Sequence, residues 1–469
     1  MLRPRLLALA APLVLLALAC SGEDTKTSVP PRPAPRAWDK HATPSDVALG
    51  PVRGFTQARG IVHSHSPYSH DACDGEGLGP DGAPRPDCVA NLRRGMCDAA
   101  EDFVFLTDHA AHMADADFPS LLFIQPGDEP VLGADGAPLG NHLACGDGRR
   151  VLVMAGNENT FMSAGLERHL PGDPATRLAA YQGEDPSTIA AMHEAGALVF
   201  VPHTESRTDE WLASMPVDGI EVYNVHAAID PDIRRDFLGL DAYAGAASIL
   251  PFTRQDEDGP QPDLAILGFF EDLPIYGERW DALLPTRHVT GVAGTDVHEN
   301  TFAGLLRDGE RGDSYRRLMR WFSNVALVSG PITPTSVKAA LAAGRSYVAF
   351  EILGSPAGFD FHAENGDSVI EMGGQAPSGS TIVAHAPKVH NLDPVVDVPT
   401  ISLRLLHIDA SGTTIAAEGD TVRLENAKAG VYRVEVRILP THLRPHVGDS
   451  GADYIRERLW ILANPIRVS

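Results

Sequence analysis

Histidine and carboxylate side chains stand close together after the first apolar run of the chain, and these residue types together bind divalent metals. The run ending near residue 64 carries His63 and His65, and Asp71 follows in the next turn. Side chains two positions apart on a strand share one face, so His63 and His65 can hold one cation from a rigid element. Asp71, with His70 as a further candidate, would approach that cation from the turn. This stretch predicts the first part of a metal centre.

The same arrangement recurs after five later apolar runs. Their ends carry the candidate ligands His109, Glu158, His203, His226, Asp296 and His298. Asp108 is predicted to orient His109 or a neighbour rather than to bind metal itself. The fifth run offers both Asn224 and His226. We favour His226 as the ligand and expect Asn224 to support the ligands without binding metal. Six successive runs that end in such residues favour one shared site over unrelated surface side chains.

This set of side chains predicts metal-assisted hydrolysis. Imidazoles and carboxylates suit Zn, Mn and Fe, whereas Mg and Ca prefer more oxygen ligands. A carboxylate such as Glu158 or Asp296 can bridge two cations about 3.5–4 Å apart, where a shared water loses its proton near neutral pH. Asp296, Glu158 and Asp71 are therefore candidate catalytic residues as well as ligands. Arg207 is a candidate for pairing with an anionic substrate group, the alternative being a solvated surface arginine.

The elements that must position these residues follow from the hydrophobic pattern. Buried strands are predicted over residues 61–64, 103–107, 151–155, 198–202, 219–223 and 289–295. Helices are predicted between several of them, for example over residues 185–196 and 333–344, where a capping residue and Pro begin the segment and Gly ends it. Alternating strands and helices within residues 60–350 favour a parallel β/α barrel, closed or nearly closed, whose C-terminal strand ends meet on one face.

Three segments interrupt this alternation, and four cysteines lie in or near two of them. Residues 74–87 and 112–150 are rich in Gly, Pro and Asp and are predicted as long loops, and residues 230–276 mix short apolar pieces with acidic turns. The cysteines are Cys73, Cys88, Cys97 and Cys145. An even count in an oxidising compartment predicts two disulfides, with three pairings possible. No two of them have Cys-x-x-Cys spacing, which disfavours a structural zinc site.

The two ends of the chain differ from its middle. Residues 1–20 predict a bacterial lipoprotein signal, in which an apolar run follows Arg3 and Arg5 and leads to Cys20 as the lipidation site. The proline-rich residues 21–59 predict an extended linker. Residues 355–469 alternate apolar and polar positions, as in residues 432–438, and predict a small all-β, sandwich-like domain. We therefore expect an exported protein, facing the periplasm or the cell exterior and held to the membrane by lipid alone.

Composition limits the classes of partner. With 469 residues and 43% hydrophobic content, the chain can form two or more domains with a sizeable core. The net charge of -24 argues against binding nucleic acid, because that requires clustered Lys and Arg that neutralise phosphates. The chain has no Gly-x-Ser-x-Gly nucleophile motif and no glycine-rich phosphate loop before a Lys, so metal-activated water is the expected nucleophile.

Taken together, the motifs at residues 63–65, 69–72, 106–109, 156–158, 201–203, 221–224 and 294–298 resemble those of the PHP (polymerase and histidinol phosphatase) superfamily of metal-dependent phosphoesterases. The resemblance implies a distorted seven-stranded β/α barrel with two or three Zn, Mn or Fe ions at its mouth. It also implies a ligand set: His63, His65, Asp71, His109, Glu158, His203, Asp296 and His298. The tail, residues 460–468, is similar to that of the CehA/McbA-like branch, which includes carbamate ester hydrolases.

Three functions follow as expectations. The leading one is an exported, lipid-anchored, metal-dependent hydrolase that acts on small-molecule phosphate mono- or diesters. The second is hydrolysis of carbamate esters, carboxyl esters or amides at the same metals, which would use every ligand of the first and cannot be separated from it by sequence. The third is a non-catalytic surface binding lipoprotein whose metals serve the fold.

Overall fold

The computed structural model of this protein describes residues 34–40 and 49–469. The predicted lipoprotein signal, Cys20 and most of the predicted linker lie outside these residues. Residues 35–469 form one compact unit. The described end of the linker is part of it, because Trp38 Nε1 donates a 2.8 Å hydrogen bond to Asp263 Oδ2. In the part of the chain that the structure describes, no helix is both long and apolar enough to cross a bilayer.

Most strands before residue 350 are buried on both faces, as expected for continuous apolar runs in a sheet covered by other elements. Their bounds are β1 (Thr56–Ile61), β2 (Phe103–His109), β3 (Glu129–Leu132), β4 (Pro138–Ala144), β5 (Arg150–Glu158), β6 (Met162–Leu166), β7 (Leu198–Val201), β8 (Gly219–Asn224), β9 (Thr290–Gly294), β10 (Ser323–Val328) and β11 (Ser346–Ala349). The α-helices of the described chain are Pro86–Asp98, Ala110–Met113, Pro174–Tyr181, Pro186–Glu194, Asp209–Ser214, Val225–Ile229, Pro231–Asp236, Ala244–Ile249, Pro274–Leu283, Tyr315–Met319, Pro334–Ala342 and Gly451–Tyr454.

These strands belong to one large mixed sheet. β1 pairs with β2, β2 with β5, β7 with β8, and β8 with β9 in parallel. β6 is antiparallel to both β5 and β7, and β10 is antiparallel to β1 and β11. A parallel bridge between Ser64 and Val297 joins the segment after β9 to the segment after β1. The parallel strands therefore bring their C-terminal ends to a common edge.

Residues after 355 form further β-structure, with period-two burial in the long strands. The bounds are β12 (Pro356–Ala357), β13 (Asp360–Asn365), β14 (Ser368–Glu371), β15 (Gln375–Ala376), β16 (Thr381–His385), β17 (Lys388–Val389), β18 (Thr400–Asp409), β19 (Gly412–Glu418), β20 (Thr421–Leu424), β21 (Gly430–Leu439), β22 (Arg458–Ala463) and β23 (Ile466–Val468). β13, β14, β16 and β20 form a separate four-stranded sheet. The prediction of an α/β fold with additional all-β structure is confirmed at this level.

Three local predictions are wrong. β1 ends at Ile61, so His63 and His65 follow the strand instead of lying on it. The segment predicted as a loop over residues 112–150 contains the antiparallel β3–β4 hairpin, whose turn uses Gly136 at φ 80°. The parallel order is interrupted by β6, because only three residues separate it from β5 and a parallel crossover needs a dozen or more.

Both disulfides hold the helix Pro86–Asp98. Cys73 pairs with Cys88 and Cys97 with Cys145, at Cα separations of 6.2 Å and 5.6 Å. The first ties the start of the helix to the turn that carries Asp71, and the second ties its end to the segment before β5. The disulfides therefore fasten this helix to two segments that lead into the site.

The C-terminal strands are joined to the sheet of the first region. β22 pairs antiparallel with β11. Just beyond β22, the Asn464 side chain accepts a 2.8 Å hydrogen bond from Gly291 N and donates to the carbonyls of Gly291 and Ser346, both at 3.0 Å. Asn464 therefore completes the backbone pairing of β9 and β11 from a position far along the chain.

We expect Asn464→Ala to lower the free energy of unfolding by about 3 kcal/mol, because it leaves buried backbone groups of Gly291 without a partner. Urea denaturation followed by circular dichroism measures this change. The same substitution at exposed Asn365 is the control and should change stability little. Equal stability of the two variants would contradict the assigned role.

Candidate metal centre

The centre of the site is a group of four buried side chains whose ligand atoms lie within 4.8 Å of one another: His63, His65, Glu158 and Asp296. The Nε2 atoms of His63 and His65 are 3.1 Å apart. Asp296 Oδ1 lies 3.2 Å from the first and 3.0 Å from the second. Two imidazole nitrogens and a carboxylate oxygen thus converge on one point, as they do around a divalent cation.

Two further groups extend the site to one side, formed by His65, His109 and His298 and by His70, Asp71 and His109. Asp71 Oδ2 is 3.4 Å from His298 Nε2 and 3.7 Å from His109 Nε2. His203 Nε2 lies 3.3 Å from Glu158 Oε1 and 3.2 Å from Asp296 Oδ2. The structure therefore brings predicted ligands from five of the six strand ends, those of β1, β2, β5, β7 and β9, into one cluster that can hold metal ions.

The two central carboxylates each present separate oxygens to separate histidines. Glu158 faces His203 with Oε1 and faces His109 with Oε2, which is 3.2 Å from the His109 ring. Asp296 faces His65 with Oδ1 and His203 with Oδ2. Carboxylates in this arrangement can bridge two cations.

Backbone conformation aims two of these side chains. His203 follows β7 at φ 50° and Asp296 follows β9 at φ 55°, both in the left-handed region that side chains with a Cβ rarely adopt. Such strain persists where the surrounding structure fixes it, and it clusters at functional sites. Asp296 N donates a 3.1 Å hydrogen bond to His63 O, which holds the strained turn against the segment after β1.

Four histidines are oriented through Nδ1, which leaves Nε2 facing the cluster. The Nδ1 partners are Glu221 Oε1 for His63 at 2.7 Å, Ser69 Oγ for His65 at 2.9 Å, Glu205 Oε1 for His203 at 3.2 Å and the Asp296 carbonyl for His298 at 2.8 Å. Bonds of this kind fix the ring tautomer and orientation of metal-binding histidines.

Glu221 is the most important residue that the sequence analysis left without a role. It is fully buried within β8, and besides its bond to His63 it accepts hydrogen bonds from His203 N and Asn224 Nδ2 at 2.9 and 3.0 Å. A Cβ at Gly294 would collide with its carboxylate, so the close approach of β9 requires glycine there. A carboxylate inside an otherwise apolar run was the signal that could have identified Glu221.

Glu205 and Tyr276 form a second supporting pair that was not predicted. Tyr276 is fully buried, and its hydroxyl donates a 2.5 Å hydrogen bond to Glu205 Oε2. Because the other oxygen of Glu205 faces His203, the tyrosine holds the carboxylate that orients this histidine. Glu205 and Tyr276 lie 71 positions apart in the sequence, so no local pattern could indicate their contact.

The remaining predicted residues lie around the cluster. Asp108 accepts hydrogen bonds from Ser66 N and Ser66 Oγ at 2.5 and 2.6 Å, and so holds the loop next to His65. Asn224 caps the helix Val225–Ile229. The His226 ring centroid is 6.0 Å from that of His298 and stands apart from the three ligand groups. Arg207 lies 4.8 Å from the centroid of the Trp211 ring and does not line the cavity above the cluster.

The charges of the cluster are strongly coupled. Burial alone would lower the pKa of His63, but Asp296, Glu221 and Glu158 hold that pKa well above its ordinary value. Burial would raise the pKa of Asp296, but the charge of His63 and the nearby nitrogens of the surrounding histidines hold it well below its ordinary range. Burial, reinforced by His298, lowers the pKa of His65 to about 3. The carboxylates are therefore ionised and need positive charge beside them.

The donor set fits bound cations. Four ligand atoms of the cluster are buried without a hydrogen-bond partner among the described residues: Asp71 Oδ1, Glu158 Oε2, Asp296 Oδ1 and His298 Nε2. Buried polar atoms without a partner are rare in proteins. Metal ions would give these atoms partners and would supply the positive charge, since imidazoles bind metal through unprotonated nitrogen.

Comparison with known proteins adds little. No protein-family model matches the chain, and no curated protein matches it. Among solved structures, the chain is similar to the crystal structure of PsfC from Pseudomonas syringae PB-5123, at 11% sequence identity and a TM-score of 0.31, over 61% of this chain and 88% of that one. Neither fold nor function is inferred from a match at this level.

We expect the purified chain, incubated with Zn²⁺, Mn²⁺ or Fe²⁺ and then desalted, to retain at least two ions, as counted by elemental mass spectrometry. Loss of a residue that only supports a ligand typically lowers metal affinity about 10–100-fold. Asp296→Asn and His65→Ala should cause a larger loss, because they remove proposed ligands themselves. His385→Ala, in β16 of the four-stranded sheet, is the matched histidine control. Retention of no ion by the unaltered chain would refute the metal centre.

Glu205→Ala should weaken metal binding by about 10–100-fold, because His203 loses the group that fixes its ring. Tyr276→Phe keeps the ring and removes only the hydroxyl, so a smaller loss is expected. Competition with a chromogenic chelator measures both affinities. Equal affinity of Glu205→Ala and the unaltered chain would show that Glu205 does not act on the ligand.

Proposed function

We propose that this chain is a metal-dependent hydrolase with a di- or trinuclear site, and that phosphoesters are its leading substrate class. The observation that carries the proposal is the position of Glu158 and Asp296, whose separate oxygens face separate histidines at the centre of a cluster contributed by several strand ends. Divalent ions bound there would polarise the ester and lower the pKa of a bound water to about 7.

The side chains of the chain have distinct tasks in this mechanism. His63, His65, Glu158 and Asp296 would hold the central ion position, and Asp71, His109, His203 and His298 would hold the flanking positions. Glu221 and Glu205 keep His63 and His203 in the orientation that binds metal. His226 lines the cavity outside the ligand groups, where it can donate a proton to the leaving-group oxygen.

A PHP-type barrel is part of the proposal. Support comes from the successive pairings β1-β2-β5-β6-β7-β8-β9, a run of seven strands, and from the Ser64–Val297 bridge that connects the segments after its first and last strands. Export as a lipid-anchored protein is also proposed, on the sequence of residues 1–20, and the two disulfides are compatible with an oxidising compartment.

Carbamate or carboxyl ester hydrolysis at the same metals is the second candidate. The cavity above the cluster contains no Lys or Arg among its described lining residues. A phosphate monoester dianion would gain from such a cation, whereas an uncharged ester would not. This lining therefore favours esters with little negative charge, phosphodiesters included.

We expect the metal-loaded chain to hydrolyse bis(4-nitrophenyl) phosphate, 1-naphthyl N-methylcarbamate or both, as followed by absorbance. Chelation should abolish turnover and added metal should restore it, while Asp296→Asn should lower kcat by at least about 100-fold. His385→Ala controls for the loss of an unrelated side chain. Undiminished turnover after thorough chelation would exclude the proposed mechanism, and the relative rates of the two probes decide between the ester classes.

A further inference from the structure

The entrance to the metal cluster has an apolar side. Above the ligands lies a cavity of about 280 Å³, and its walls include Ile233 and Phe237 beside the polar Ser206 and His226. Ile233 belongs to the helix Pro231–Asp236, and Phe237 is the residue that follows it. The Phe237 side chain is 45% exposed, although large apolar residues are usually buried. An exposed aromatic ring at the mouth of a polar site offers a contact surface to a ligand.

The arginines of the two segments that border this entrance are occupied elsewhere. Arg207 lies over the Trp211 ring. Arg234 is buried and donates to the carbonyls of Ala228 and Asp241. Arg235 pairs with acidic neighbours of its own helix. The cavity thus combines an ion-binding floor with an apolar wall and, among the described residues, has no cationic side chain besides histidine.

We propose that Phe237 and Ile233 determine specificity, and that the substrate is an ester carrying an aromatic group that packs against them. This inference rests on the proposed hydrolase function and narrows its substrate class. Water adds to the phosphorus or carbonyl carbon at the floor, the bond to the leaving-group oxygen breaks, and a proton from the water ends on that oxygen. The aromatic group meanwhile stays against Phe237, where ring-to-ring contact favours it over a small alkyl group.

The test compares naphthyl and methyl members of one ester series, because their intrinsic reactivities cancel when a variant is compared with the unaltered chain. Phe237→Ala should lower the naphthyl-to-methyl ratio of kcat/KM by about 10-fold or more, and Phe237→Tyr should keep it. Tyr243→Ala is the matched control, since Tyr243 is an exposed aromatic residue of the same region that does not line the cavity. Its ratio should not change.

A binding measurement separates this inference from the proposed catalysis. We expect calorimetry to show tighter binding of 1-naphthylphosphonate than of methylphosphonate to the metal-loaded chain, with the difference lost in Phe237→Ala and kept in Tyr243→Ala. Equal binding of the two phosphonates, or an unchanged preference in Phe237→Ala, would overturn the inference even if esters are hydrolysed. Discrimination in binding without any turnover would support the aromatic subsite and count against the hydrolase.

Discussion

Buried negative charge that must be compensated is the constraint on which this site depends. Glu158 and Asp296 are ionised in a region where water is largely excluded, and an isolated buried carboxylate is costly. The carboxylates in turn hold the pKa values of His63 and His203 well above their ordinary value, against the effect of burial. The same geometry suits cations, because the histidine nitrogens that face the carboxylates are also metal ligands. The arrangement is thus a preformed, negatively charged site in which metal ions can replace protons on the histidine nitrogens.

Buried hydrogen bonds and fixed backbone conformations hold this site in one geometry. Glu221 joins three segments, since it binds a ring nitrogen of His63, the backbone of His203 and the amide of Asn224. Positive φ values at His203 and Asp296 are held by the strands that end just before them. A site whose ligands are fixed by buried hydrogen bonds requires little rearrangement when ions bind, which favours tight and selective binding.

The sequence predicted which residues meet because the ligands come directly after buried apolar runs, and such runs identify strands without any long-range information. Glu158 and His203 are examples, since they come three residues and one residue after the predicted runs 151–155 and 198–202. Supporting contacts were not predictable in this way. Tyr276 reaches Glu205 across a long separation, and no periodicity records such a contact.

Chain direction and cysteine pairing escaped sequence analysis for related reasons. No strand was predicted over β6, because a five-residue run with Gly165 inside it lacks a clear strand signal. The disulfide partners of Cys88 and Cys97 depend on the helix that places these residues at its two ends, and spacing alone allows other pairings. Strand pairing beyond the parallel units likewise required the three-dimensional arrangement.

The pairing of β22 with β11, together with Asn464, has a consequence for how the molecule can vary. Residues of β22 and Asn464 complete the backbone hydrogen bonding of β11, which lies more than a hundred positions earlier in the sequence. Removing the C-terminal strands would therefore leave β11 with an unpaired edge and the backbone of Gly291 without its Asn464 partner. Gene fusion or recombination would have to keep the residues before 350 together with the C-terminal strands. We therefore expect the two parts to be inherited as one unit.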